Sequence, residues 1–391
     1  MQKGKLNIAF IYDWFDTPQG GAERVLQVLH EIFPHAPWYT SHIDLKSAPW
    51  ATGWDVRPSF LQHLPARVRR NRVLMLPLLP LAFESFDLSS YDVVVSISSA
   101  FAKAVVTKAH TRHICYLLTP PRWLWTDTPI IQNPLIHFFE RAIRSYLRRW
   151  DKTTAQRVDE FIAISQVVAD RCNRWYARES TVVYPPFDAS HWQELLEENL
   201  QSIPAEITAL GLRPSHYMLV VSRLETYKRV DMALTAFAMY QKSNPHAQSM
   251  KLVIVGTGTQ KNRLMQKAQD LGIFHHIIWT NSLSERALAW LYTHSRACIM
   301  PQEEDYGYVA CEAAWCGAPV VAYARGGQKE ALEEYPNTVY FEPQDERALV
   351  SALEKIESIQ YNARTYENSH LRRRSRDAFV AAFTQKISEA V

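Results

Sequence analysis

Pro301-Gln-Glu-Glu-Asp-Tyr-Gly-Tyr-Val-Ala-Cys-Glu-Ala-Ala-Trp-Cys-Gly-Ala-Pro-Val320 decides how this chain is read. An apolar run, Ala297 to Met300, reads as a strand that stops at Pro301, and helix-forming residues resume at Gly307 after a polar loop. Glu304 then falls at the carboxyl edge of the strand and Glu312 within the first two turns of the helix. Between them lie the backbone N–H groups around Gly307 and Tyr308, at the positive end of the helix. Such an end suits a phosphate-like anion. Carboxylates on either side of the anion can hold hydroxyls, which is the order of groups in a sugar–diphosphate–nucleoside.

Outward from this stretch the pattern of strand, polar loop and helix repeats. Tyr217 to Ser222, Lys251 to Val255, Ile277 to Trp279 and Val320 to Tyr323 read as further strands, with helices beginning at Val230 and Gln260. The first half does the same with Ile8 to Tyr12, Asp92 to Ser96, His113 to Leu118, Phe161 to Ile164 and Thr181 to Tyr184. Its helices run over about Ala22 to Ile32 and Gln166 to Tyr176. Alternation of this kind predicts α/β domains with doubly wound parallel sheets, whose ligands bind at the carboxyl ends of strands. The expected division is a Rossmann-like domain over 1–190, a polar, acidic linker with a short helix over 191–214 and a second Rossmann-like domain over 215–371, the two facing across a cleft. A closing helix over 372–391 can complete the first domain.

The bulk numbers agree with two cores. The chain has 391 residues, 47% hydrophobic and 12% aromatic, which excludes a disordered chain. Its net charge of +3 gives no reason to expect a nucleic-acid partner. The longest apolar run, Val73 to Phe83, is interrupted by Pro77 and Pro80 and falls short of the ~20 residues that span a bilayer. Ile8 to Tyr12 has strand character and does not read as a signal peptide. Cys115, Cys172, Cys298, Cys311 and Cys316 lack Cys-x-x-Cys spacing and read as buried thiols of a cytoplasmic protein, with no metal site.

Three further motifs fall at strand ends. Arg223 and Lys228, in Ser222-Arg-Leu-Glu-Thr-Tyr-Lys228, could neutralise a diphosphate, or form a solvated basic turn. Gly256-Thr-Gly258 could approach a ligand, or simply make a tight strand-to-helix turn. In Gly326-Gly-Gln-Lys-Glu330 the glycines allow close backbone approach, and Glu330 also suits a helix start on dipole grounds alone.

In this order the motifs resemble the retaining glycosyltransferases of family 4, with the GT-B fold. Gly20-Gly-Ala-Glu23 matches that family's N-terminal glycine loop. Asp92 to Lys103, His113 through Pro120-Pro-Arg-Trp-Leu-Trp125, and Tyr184-Pro-Pro-Phe-Asp188 look like its bacterial polysaccharide mannosyltransferase branch. The resemblance implies that Arg223 and Lys228 hold the donor diphosphate, Glu304 the transferred sugar and Glu312 the ribose. Backbone around Gly307, Tyr308 and Val309 caps the phosphates, with Gly256 in the donor site and Gly20 and Gly21 close to the phosphates or sugar. The implied donor is GDP-mannose, a co-substrate rather than a cofactor, and the acceptor a glycan or lipid-linked saccharide. No metal is implied. A UDP-sugar donor and a non-catalytic sugar-nucleotide- or glycan-binding subunit are the alternatives. A dinucleotide dehydrogenase is poorly supported, because Asp13 to Gly21 lacks Gly-x-Gly-x-x-Gly.

The chain departs from the family at Leu118, where many members carry a histidine that lies near the anomeric carbon. Leucine can neither donate a hydrogen bond nor take a proton. On the acceptor side, Arg122, Trp123 and Trp125 read equally as a sugar-stacking cluster and as a packing cluster. Arg67, Arg69, Arg70 and Arg72 precede an apolar run. Ile136 to Trp150 mixes Phe138, Phe139 and Tyr146 with Arg141, Arg144, Arg148 and Arg149. Both segments fit docking on an anionic inner membrane face as well as they fit ordinary surface helices.

Overall fold

The computed structural model describes residues 6–126, 134–358 and 369–389. The chain forms two compact units, residues 1–186 with 377–391, and residues 187–376.

Unit 1 is built on a seven-stranded sheet of order β3-β2-β1-β4-β5-β6-β7, parallel throughout. Its strands are β1 (Ile8–Tyr12), β2 (Trp38–Thr40), β3 (Val56–Pro58), β4 (Val93–Ser98), β5 (Arg112–Leu117), β6 (Glu160–Ala163) and β7 (Thr181–Val182). Central strands β1 and β4 are buried at every position, as expected where helices cover both faces. β2 and β3 escape a reading of the sequence because three residues are too few to show a period. A core of Ile11, Met75, Leu79, Phe83, Val94 and Phe101 fills one side of the sheet. Helix Arg376–Glu389 closes the unit, with Phe379 and Phe383 each edge-on to Tyr116 at 5.8 Å and Lys386 paired to Glu160 at 2.8 Å.

Unit 2 carries a six-stranded parallel sheet of order β10-β9-β8-β11-β12-β13. Its strands are β8 (Tyr217–Val221), β9 (Lys251–Val255), β10 (Ile277–Thr280), β11 (Ala297–Met300), β12 (Val320–Tyr323) and β13 (Thr338–Phe341). Met218, Val220, Phe237, Leu252, Ile254 and Leu353 form part of its core. The polar stretch 191–214, expected to be a linker with a short helix, lies within unit 2. It contributes to helices Ala189–Gln201 and Ala205–Leu210, and Trp192 is buried with its ring 6.0 Å from that of Tyr292. The acidic residues that suggested a linker occupy the outer faces of these helices.

Strand order reverses between β1 and β4 in unit 1 and between β8 and β11 in unit 2. Such switch points open the crevice in which α/β sheets bind ligands. In unit 1 the chain's own Asp13 takes up the N–H groups that follow β4. Its Oδ1 accepts from Phe101 N and Ala102 N, both at 2.7 Å. Its Oδ2 accepts from Ser99 N at 2.8 Å, Ser99 Oγ at 3.0 Å and Ala100 N at 3.0 Å.

Candidate functional site

At the unit 2 switch point, the loops that follow β8 and β11 meet through charge. After β8 the chain runs through Arg223 into a short 3-10 turn, Thr226–Lys228. Lys228 Nζ donates to Glu304 Oε1 at 2.6 Å, and side-chain exposures of 11% and 21% put the pair at the edge of solvent. Arg223 is exposed and donates to Tyr227 Oη at 2.6 Å, while Lys228 Nζ lies 5.2 Å from the centre of the same ring. Arg223, Lys228 and Glu304 therefore share one corner of the sheet edge.

Glu304 is held from three directions. Gln302 Nε2 donates to Oε1 at 2.7 Å, Glu304 N donates to Gln328 Oε1 at 2.8 Å, and Glu304 O accepts from Gly327 N at 2.7 Å. Gln328 is fully buried and also donates to Gln302 O at 2.6 Å. In that motif Glu330 stands out in the sequence, whereas Gln328 does not. A glutamine beside two glycines carries no period or charge signal, and only the fold shows which backbone it reaches. The glycines of this motif and of Gly256-Thr-Gly258 serve loop-to-loop packing. A Cβ at Gly326 would meet Glu304 O at 2.7 Å, and one at Gly256 would meet Ser222 O at 2.0 Å.

Gly307 takes the left-handed conformation (φ 96°) that starts helix Tyr308–Trp315, and Gly307, Tyr308 and Val309 are half-buried at its positive end. Glu312, on the same helix, is almost fully buried, and Tyr292 Oη donates to its Oε2 at 3.0 Å. Burial and then the Glu312 charge push the Tyr292 hydroxyl well above its usual pKa, so it remains a donor. The two carboxylates thus differ in setting: Glu304 borders solvent beside a cation, whereas Glu312 is enclosed.

The remaining expected residues lie in unit 1. Gly20 caps helix Gly21–Ile32, with Glu23 Oε2 3.0 Å from where its Cβ would be. Arg122, Trp123 and Trp125 form helix Arg122–Trp125. Trp125 donates to Asp151 Oδ2 at 2.7 Å and stacks on Trp175 at 5.7 Å, which places it in packing. Asp151 also accepts from Tyr176 Oη at 2.8 Å and pairs with Lys103, and both members of that pair are buried. Leu118 is buried just beyond β5.

The basic residues of unit 1 divide. Arg67 and Arg70 are exposed, whereas Arg69 and Arg72 are half-buried and turn toward protein partners. Arg144 and Arg148 donate to the carbonyls of Thr126 and Leu124 at 2.9 and 2.6 Å. The side chains of Phe138, Phe139 and Arg141 lie outside the described residues. Leu74, Leu81, Ile143 and Tyr146 are exposed. Among the described residues, no helix is long and apolar enough to cross a membrane, and no group of three His, Cys, Asp or Glu side chains is placed to hold a metal ion. All five cysteines are buried and unpaired.

Residues 207–373 match the family model described as glycosyl transferases group 1. A D-inositol 3-phosphate glycosyltransferase of Frankia alni is 35% identical over 140 residues, 34% of each chain. A glycogen synthase of Mycobacterium tuberculosis is 28% identical over 179 residues, covering 46% of this chain and 40% of that protein. The chain spans only 33–41% of the length of the first curated relatives it matches. Over nearly full length it is similar in structure to Anabaena HepE in complex with UDP, with a TM-score of 0.68, 18% identity and coverage of 97% and 100%. The lipopolysaccharide outer core galactosyltransferase WaaB, in its apo form, gives a TM-score of 0.64 at 16% identity, with coverage of 98% and 99%. The chain has the GT-B fold, and most of its second unit matches a glycosyl transferase group 1 domain.

Proposed function

We propose that the chain is a retaining glycosyltransferase that moves a hexose from a nucleoside-diphosphate donor onto a glycan or lipid-linked acceptor in polysaccharide assembly. The observation that carries this reading is the Lys228–Glu304 contact at the β8/β11 switch point, next to the helix start at Gly307. Arg223, Lys228 and the first-turn backbone of Gly307, Tyr308 and Val309 receive the diphosphate. Glu304 faces the transferred sugar and Glu312 the ribose. During transfer the bond from the anomeric carbon to the phosphate oxygen breaks, and a bond from that carbon to the acceptor oxygen forms on the same face. The acceptor's proton passes to the departing phosphate oxygen. Arg223 and Lys228 stabilise the charge that gathers there, an effect worth roughly 10²–10³ in rate for one well-placed group. They would fill the role that a divalent ion has in other transferases.

Mannose from GDP-mannose is the first donor proposed, on the resemblance to the family 4 mannosyltransferase branch. A UDP-hexose is the second reading, favoured by the UDP bound in HepE. On the acceptor side, Arg122, Trp123 and Trp125 are the proposed contacts, with Trp123 packed beside Phe101 and Trp125 held by Asp151 and Trp175. Exposed Leu74, Leu81, Ile143 and Tyr146, in the same segments as exposed Arg67, Arg70 and Arg149, support docking on an anionic membrane face. Thermal-shift ranking of GDP, UDP, ADP and their sugar conjugates tests the donor, because a ligand bound only by the folded state raises the melting temperature. One nucleoside diphosphate should stand out, and its shift should shrink in Lys228→Ala. Equal shifts for wild type and variant would overturn the assignment.

A further inference from the structure

Beyond the carboxyl ends of β1 and β2, unit 1 contains a hollow of about 220 Å³ lined by Asp16, His42, Asp44, Arg69, Arg70 and Arg72. Three guanidiniums in one small hollow exceed what two carboxylates neutralise. Arg72 Nη2 pairs with Asp16 Oδ1 at 2.7 Å, and its guanidinium lies 3.6 Å from the centre of the Trp14 ring. His42 Nε2 lies 2.9 Å from Asp16 Oδ2, and Arg70 Nη2 is 3.4 Å from Asp44 Oδ2. Arg69 Nη1 donates to the Ile43 carbonyl at 3.4 Å. Among the described residues these contacts leave Arg72 Nη1 and Arg69 Nε buried without an acceptor. A buried donor on a charged group is costly to leave unmet. The guanidinium fork is shaped to take two oxygens of a carboxylate or phosphate. Water could accept these hydrogen bonds but would not offset the surplus charge.

We propose that this hollow is an oxyanion site, holding one phosphate or carboxylate group through Arg69, Arg70 and Arg72. Stacking on Trp14 and pairing with Asp16 hold Arg72 in place, so its free edge is pre-oriented. The volume suits one such group. The site stands apart from the reading of unit 2. If unit 1 receives the acceptor, the hollow selects acceptors that carry an anionic group; that consequence alone rests on the transferase reading.

Calorimetric titration of the full chain tests the site, carried out in the Lys228→Ala background so that anion binding at the β8/β11 edge does not interfere. The probes are inorganic phosphate, glycerol 3-phosphate and glucuronate, with glucose as an uncharged control. At least one anion should bind, glucose should not, and Arg69→Gln and Arg70→Gln should each weaken binding about tenfold or more. Arg70 is exposed, so its variant should fold normally. Failure of all three anions to bind would overturn the proposal, as would binding that both variants leave unchanged. A parallel arm uses phosphatidylcholine vesicles with and without phosphatidylglycerol. Arg70-dependent capture by the anionic vesicles, with no soluble anion bound, would make this a headgroup contact on the surface and would also overturn it. Donor binding by the wild-type chain is scored separately, so the two readings can fail independently.

Discussion

Lys228 donates to Glu304 at 2.6 Å although 76 residues separate them in the chain, and this contact joins the loops at the switch point of the second sheet. The Glu304 oxygen that takes the lysine also takes Gln302 Nε2, so the carboxylate is aimed from both sides. The ammonium is thereby held at one corner of the sheet edge, with one side open to solvent.

Lys228→Ala should lower kcat/KM by roughly 10²–10³, while the unfolding free energy changes by only about 1–2 kcal/mol, as befits a pair open to solvent at one edge. Glu304→Gln keeps an oxygen acceptor for the lysine and should cost less stability. Steady-state kinetics and urea unfolding on both variants make the comparison. A parallel loss of stability and activity in Lys228→Ala would mean that the lysine serves folding alone.

Tyr292→Phe removes the hydroxyl that donates to Glu312 at 3.0 Å inside the core. Losing a hydrogen bond to a buried carboxylate should cost about 1–3 kcal/mol. If Glu312 meets the ribose, affinity for the nucleoside diphosphate should fall as well, because the carboxylate loses the group that orients it. Chemical unfolding and calorimetric titration of the nucleotide separate the two effects, and unaltered nucleotide affinity would argue against the ribose role.

Gly326→Ala should damage activity more than stability. Its φ of 93° disfavours a side chain, and the added Cβ would press on Glu304 O at 2.7 Å and Glu304 N at 2.8 Å. Gly211→Ala is the control, with a φ of 62° and nothing within 4 Å of the added Cβ. It should cost only the conformational penalty, about 1 kcal/mol. Melting temperatures and transfer rates of both variants test whether the first glycine protects the position of Glu304.

His113 should make unit 1 sensitive to acid. Burial pushes its imidazole down to about 4, against an ordinary value near 6.5, and Ser96 Oγ lies 2.9 Å from its Nε2. As pH falls below ~6.5 the unfolded chain takes a proton that the folded chain refuses. Stability is therefore unaffected above pH ~6.5 and declines toward pH ~4, by up to about 3 kcal/mol at ~1.4 kcal/mol per pH unit. Urea unfolding at several pH values should show this slope in the wild type and a shallower one in His113→Gln.

Much of the fold was legible because its signals are local. Ala297–Met300, closed by Pro301, Lys251–Val255, closed by Gly256, and Val320–Tyr323, opened by Pro319, are short, largely apolar runs, and each is a strand over the expected residues. β2, β3 and β13 were not legible. Two of them are only three residues long, and Thr338–Phe341 is largely half-exposed at the sheet edge, where no continuous apolar run is required. In the stretch 191–214 the expected helix is present, and Trp192 and Leu195 mark its buried face.

Residue pattern alone sets the α/β class and the strand ends on which Arg223, Lys228, Glu304 and Gly307 fall. These follow from short-range pattern and from the chemistry of single side chains. Only the tertiary structure decided which of them meet. Sheet order brings β8 beside β11 and thereby pairs Lys228 with Glu304, and it lets buried Gln328 hold the Glu304 backbone. The same long-range packing drew Trp125 to Asp151 and turned Arg69 and Arg72 inward to line a hollow. Such pairings depend on strand order and burial, which join residues far apart in the chain and leave no periodic trace in the residues themselves.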